Sequence, residues 1–113
     1  MRNEEFELQC INLISLAGDA KSCFIEAIQS AGEGNFAEAE GLMEKGRISY
    51  AGAHDIHVEM LRCEACGEKK YEGLLIMHTE DQLMAAENYE TIAEQFMDLH
   101  HKLFKLTENI KGE

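Results

Sequence analysis

A chain of 113 residues with 22 acidic and 10 basic side chains carries a net charge of −12, which argues against nucleic acid or an anionic membrane surface as partner. Its length fits one domain, residues 1–113, and the absence of proline with abundant Ala, Glu, Leu, Met and Ile predicts an all-α fold. No run approaches the roughly 20 apolar residues of a spanning helix, and Met1-Arg2-Asn3-Glu4-Glu5 lacks a signal peptide's apolar segment. The expected location is therefore cytoplasmic and free of membrane insertion, with Cys10, Cys23, Cys63 and Cys66 reduced and serving as small hydrophobes.

The first predicted helix runs from about Glu4 to Ala31. Phe6, Cys10, Leu13, Ala17, Ala20, Phe24, Ala27 and Ala31 recur at alternating spacings of four and three, a heptad stripe. Ile14, Ile25 and Ile28 widen it, so this helix should touch more than one neighbour. Gly32-Glu33-Gly34-Asn35 should end it, with glycine as the C-terminal cap and Asn35 as the next N-cap.

A second helix is predicted from Phe36 to about Ala65, its stripe formed by Phe36, Ala39, Met43, Gly46, Tyr50, Ala53 and Leu61. Gly41, Gly46 and Gly52 each weaken it by roughly 1 kcal/mol relative to alanine, unless they permit close helix approach. The polar turn from Gly67 to Gly73 should close it.

The third helix spans about Leu74 to Ile110 along a seam of Ala85, Tyr89, Ile92, Phe96, Leu99, Leu103, Leu106 and Ile110. Extended backwards, the seam passes through Gln82, His78 and Leu75. Two starts fit. Thr79 and Gln82 can form a capping box with His78 just outside the helix, or the helix begins near Leu75 and carries His78 in its first turns. Both place His78 near a helix N-terminus, which favours an anion. The three helices should form an elongated antiparallel bundle, and their wide stripes predict self-association without fixing the number of subunits.

Polar side chains on an apolar face must be satisfied or used. A nucleophilic histidine must be neutral, reachable and held in one tautomer. Asp81 and Gln82, three and four residues on, can reach the His78 ring or a group it carries. The plainer alternative is a solvated histidine in a polar first turn. His54-x2-His57 and Cys63-x2-Cys66 have zinc-like spacings. One continuous helix puts His57 and Cys63 about 9 Å and 240° apart, which disfavours a shared ion and leaves core-adjacent histidines and buried thiols. His100-His101 reads as structural, and the methionines as core filler.

Longer runs carry a resemblance. Leu13-Ile14-Ser15-Leu16-Ala17-Gly18-Asp19-Ala20-Lys21-Ser22, then Glu26-Ala27-Ile28, Gly34-Asn35-Phe36, Ala53-His54, Glu64-Ala65, and finally Leu74-Leu75-Ile76-Met77-His78 with Asp81-Gln82-Leu83-Met84 stand in a fixed order. In this the chain resembles the IIA component of the lactose/cellobiose (chitobiose) family of the bacterial phosphoenolpyruvate:sugar phosphotransferase system. The resemblance implies three-helix subunits in a nine-helix homotrimer and His78 as the phosphorylated nucleophile. It implies Asp81 beside its symmetry mates at the trimer axis, sharing a divalent cation such as Mg2+. It implies HPr as phosphoryl donor and a cysteine of the cognate IIB as acceptor, with sugar phosphorylated at the membrane component IIC. Gln82, a candidate hydrogen-bond donor to the phosphoryl group, stands where the family commonly has a second histidine. Thr79 and Glu80 replace its usual Ala-Gln, and His57-Val58 its usual Gln-Thr. Two other readings of the residues are a helical metal-binding or scaffold trimer and a histidine phosphotransfer domain of a two-component relay.

Overall fold

The computed structural model describes residues 4–67 and 73–112. Three helices follow one another, α1 (Glu4–Gly32), α2 (Phe36–Ala65) and α3 (Leu74–Lys111), packed as an antiparallel bundle of 71 × 19 × 18 Å. Most of the turn predicted between Gly67 and Gly73 lies outside the described residues.

The α1 stripe behaves as its spacing dictates. Phe6, Cys10, Leu13, Ala17, Ala20, Phe24, Ala27 and Ala31 are all buried. This helix packs extensively on both neighbours, while α2 and α3 meet along a narrower line. Its end is a Schellman turn: the Asn35 N–H donates to the Ser30 carbonyl at 2.9 Å and the Gly34 N–H to that of Ala31 at 3.0 Å. Gly34 takes the left-handed conformation this requires, at φ 86°. Asn35 is the N-cap of α2 but its side chain makes no capping bond; nearby, the Ser30 hydroxyl donates to Glu38 at 2.7 Å.

Small side chains bring the helices close. Ala39, Gly46 and Ala53 of α2 and Ala86 and Ala93 of α3 are buried against the alanines of α1. A Cβ on Gly46 would lie 2.5 Å from Cε1 of Phe24, which is fully buried. One on Gly52 would meet Leu16 at 3.2 Å, whereas one on Gly41 would meet nothing. At the far end of α2, Met60 is buried and the predicted stripe residue Leu61 is exposed.

The third helix corrects the reading of its seam. Its inward face is Thr79, Leu83, Ala86, Ala93 and Met97. The large residues Ile92, Phe96, Leu99, Leu103, Leu106 and Ile110 are instead 42–65% exposed. Both sets recur at helical spacing, and the smaller side chains win the inside because α1 lies too close for the larger ones. The methionines divide likewise: Met43, Met60 and Met97 are buried, Met77 and Met84 exposed.

The thiols also divide. Cys10 is buried, Cys23 and Cys63 are half-buried, and Cys66 is exposed, so the expectation of uniformly buried thiols fails at the open end of α2. Burial pushes the Cys10 thiol up, reinforced by Glu7 and opposed by a hydrogen bond with Thr79. Burial is also the main cause raising Cys23.

Two predictions follow from this packing. Gly46→Ala should destabilise the fold by roughly 1–3 kcal/mol through overpacking against Phe24, whereas Gly41→Ala should stabilise it by up to about 1 kcal/mol; urea unfolding followed by circular dichroism checks both. Because only a thiolate alkylates readily, iodoacetamide on the native protein at about pH 8 should label Cys66 first and Cys10 last, read by peptide mass spectrometry.

Candidate phosphoryl-acceptor site

The third helix opens at Gly73, whose φ of 100° suits glycine alone, and is helical from Leu74. Thr79 is fully buried, and its hydroxyl donates to the Leu75 carbonyl one turn back at 2.7 Å. Because the helix already runs from Leu74, Thr79 lies inside it and is not its N-cap. The capping-box alternative is therefore excluded, and His78 sits in the second helical turn. The free backbone N–H groups of this terminus belong to the turn before it, since the Met77 N–H already donates to the Gly73 carbonyl at 3.4 Å. Helical side chains lean toward the N-terminus, so His78 leans toward that free turn.

His78 and Asp81 are exposed and Gln82 is half-buried. None of the three makes a hydrogen bond or ion pair with another side chain among the described residues. Spacings of three and four put both partners beside His78 on the helix surface. The site is thus an accessible imidazole flanked by one carboxylate and one amide, on the side of α3 that carries the exposed seam.

The residues between these three hold the helix in place. Thr79 points into the core beside Cys10 of α1. Glu80 turns toward α2, where Nε2–H of His57 donates to its carboxylate at 2.9 Å. This pair borders a hollow of about 130 Å³ lined by His57, Met60, Leu61, Glu64, Ile76 and Glu80. Farther along, the Tyr50 hydroxyl donates to Glu87 at 3.2 Å, and Arg47 reaches Glu90 at 3.0 Å and Glu94 at 2.8 Å. The hydrogen bond that Arg47 donates to Glu94 is the main cause that raises Arg47, against a smaller effect of burial; burial followed by Glu87 raises Tyr50.

The remaining candidates scatter. His54 is exposed, correcting its reading as core-adjacent, with its ring 6.0 Å from that of Tyr50. Cys63 directs its thiol to Glu59 at 3.8 Å, while Cys66 faces solvent. His101 stacks on Phe36 with ring centroids 3.9 Å apart, and His100 borders Gly32. Among the described residues no three His, Cys, Asp or Glu side chains are arranged to hold a metal ion, and no helix is long and apolar enough to cross a membrane. Sequence reasoning gave no role to Glu80 or to a buried Thr79. The signal for Thr79 was a second stripe, Thr79, Leu83, Ala86, Ala93 and Met97, running beside the conspicuous one; Glu80 had none.

Comparison with known proteins identifies the family and the fold. The sequence profile described as "PTS system, Lactose/Cellobiose specific IIA subunit" matches residues 8–101. The oligo-beta-mannoside-specific EIIA component of Bacillus subtilis is 37% identical over 87 residues, covering 77% of this chain and 79% of the relative. The lactose-specific EIIA component of Staphylococcus aureus is 38% identical over 84 residues, 74% and 82% of the two chains. Among solved structures, the cellobiose-specific enzyme IIA of Bacillus anthracis superposes with a TM-score of 0.87 at 35% identity, covering 93% of this chain and 94% of that one. PtcA of S. mutans, at 24% identity and a TM-score of 0.84, shares the fold. With a match spanning most of its length and relatives above 30% identity, the chain belongs to the lactose/cellobiose-specific IIA family of the sugar phosphotransferase system.

Proposed function

We propose that this protein is a cytoplasmic phosphocarrier in which His78 accepts a phosphoryl group from the phosphohistidine of HPr and passes it to a cysteine of the cognate IIB. The observation that carries the reading is an exposed histidine in the second turn of α3, unpaired among the described residues, with a carboxylate and an amide beside it. In the first step a neutral ring nitrogen of His78 attacks the donor's phosphorus in line. A nitrogen–phosphorus bond forms as the donor's breaks, and the donor imidazole leaves with the electron pair. In the second, the IIB thiolate attacks and His78 leaves. Neither step needs an acid or base on this chain beyond the proton kept on the other ring nitrogen. Its contributions are placement and hydrogen bonding: the Gln82 amide toward a phosphoryl oxygen, and the free N–H groups of the first turn.

The working unit in this reading is a homotrimer. An apolar seam from Ile92 to Ile110 along the C-terminal half of α3, its side chains 42–65% exposed, is more than a monomer leaves to water, and its alternating spacing of three and four suits pairing with copies of itself. Asp81, exposed beside the seam, fits a shared divalent cation by chemistry, since carboxylate oxygens suit hard ions such as Mg2+. One chain supplies a single carboxylate there, and symmetry mates supply the rest. Such a cation would offset the repulsion among these carboxylates when bound.

With phosphoenolpyruvate, enzyme I and HPr, phosphorus NMR should show a phosphohistidine signal on the wild type that is absent from His78→Ala. Its absence from both would overturn the carrier reading in favour of a scaffold. Gln82→Ala should slow transfer by about tenfold, the loss of one hydrogen bond to the transferred group. Light scattering should give three times the 12.7 kDa chain mass, and Leu99→Glu should reduce it to one. A chelator should lower the melting temperature of the wild-type trimer but not that of Asp81→Asn.

A further inference from the structure

The His57–Glu80 pair lies outside the chemistry just described, yet among the described residues it is the side-chain hydrogen bond between α2 and α3 nearest to His78 in sequence. Its geometry is good: 2.9 Å from Nε2 to Oε2, with His57 19% and Glu80 47% exposed at the side chain. Glu80 is two residues from His78, about 3 Å along the helix axis and on the opposite side of it. Position therefore passes from one to the other through a single turn of backbone.

That turn has few other constraints. It starts at a glycine, has no side-chain N-cap, and its first residues Leu74 and Leu75 are exposed. Inward contacts come from Ile76, partly buried against the core, and from Thr79. Thr79 fixes the helix against α1, and Ile76 borders the hollow that α2 lines. The His57–Glu80 hydrogen bond adds a directional contact to α2. We propose that His57 and Glu80 are positioning residues for phosphoryl transfer: together they clasp the opening turns of α3 to α2 and so fix where the His78 imidazole stands. This rests on His78 being the phosphoryl acceptor. A misplaced nucleophile slows an in-line transfer even where the fold is intact, so the clasp acts on rate through placement alone.

Among the described residues, the hollow beside the pair is bordered by one further charged side chain, Glu64 of α2, and by no charged residue of α1. Glu64 is exposed, so Glu80 is the partner His57 holds. The pair is also separable from global stability. A half-exposed side-chain hydrogen bond contributes about 1 kcal/mol, and its loss loosens one end of one helix.

The test combines transfer kinetics with backbone hydrogen exchange on the full chain. In His57→Ala, phosphoryl acceptance from phospho-HPr should fall by about three- to tenfold. Exchange at the amides of residues 75–82 should rise while that of mid-bundle amides stays constant. His57→Gln, whose side-chain amide can donate to the same carboxylate, should restore both. Should His57→Ala lose its helical signal, Glu80→Ala at the half-exposed end of the pair carries the same two readouts. The inference is overturned if the alanine variant accepts phosphate at the wild-type rate, or if glutamine restores exchange protection without restoring the rate. A wild type that takes no phosphoryl group on His78 overturns the carrier reading and the positioning role with it. Normal phosphorylation that is insensitive to both variants overturns the clasp alone.

Discussion

The closeness of α1 to both of its neighbours governs the rest of this structure. Its buried stripe is half alanine, and alanine and glycine face it from α2 and α3. Phe24 fills the space that Gly46 leaves, to within 2.5 Å of where a Cβ would stand. A core this thin cannot bury many large side chains, and a chain of this size has little interior to offer them. The helices gain contact through proximity instead, by dispersion between well-packed small groups.

From that constraint follows the orientation of α3. The helix has two apolar stripes, and only the one made of Thr79, Leu83, Ala86, Ala93 and Met97 is slim enough to lie against α1. The stripe of larger side chains must then face away, and His78 goes with it. Consecutive residues on a helix are about 100° apart, so burying Thr79 is what turns His78 outward and Glu80 toward α2. The buried Thr79, the proposed nucleophile His78 and the proposed clasp Glu80 are three successive residues with three different directions.

Much of this was legible in the sequence where a single physical rule decided the outcome. The stripe of α1 has no competitor, and each of its members is buried. Gly34 had to end α1 because a Schellman turn needs a left-handed residue there. The α2 limits Phe36–Ala65 agree with the periodicity. Where two rules competed, the sequence was silent. Thr79 could cap or be buried, and only the distance to α1 decided. The seam of α3 was read correctly as a stripe, but periodicity carries no sign telling the inside from the outside. His57 and Glu80 lie 23 residues apart in different helices, and nothing local to either announces the other.

Electrostatics bears on why such a site would suit a carrier. Arg47 is committed to Glu90 and Glu94, Arg62 to Glu59, and Lys102 to Asp98, while Lys21 sits 5.9 Å from the centre of the Tyr89 ring. None of these contacts includes His78. A phosphoryl group arriving there would meet Asp81 and Gln82 on a protein of net charge −12, with a helix N-terminus as its favourable field. A storage site would stabilise the dianion with arginines in bidentate contact. A carrier must release what it accepts, and tight binding of the intermediate state would slow the second transfer as much as it favoured the first. An amide in place of a second imidazole is consistent with that balance: it orients the phosphoryl group by a neutral hydrogen bond and adds no positive charge to hold it.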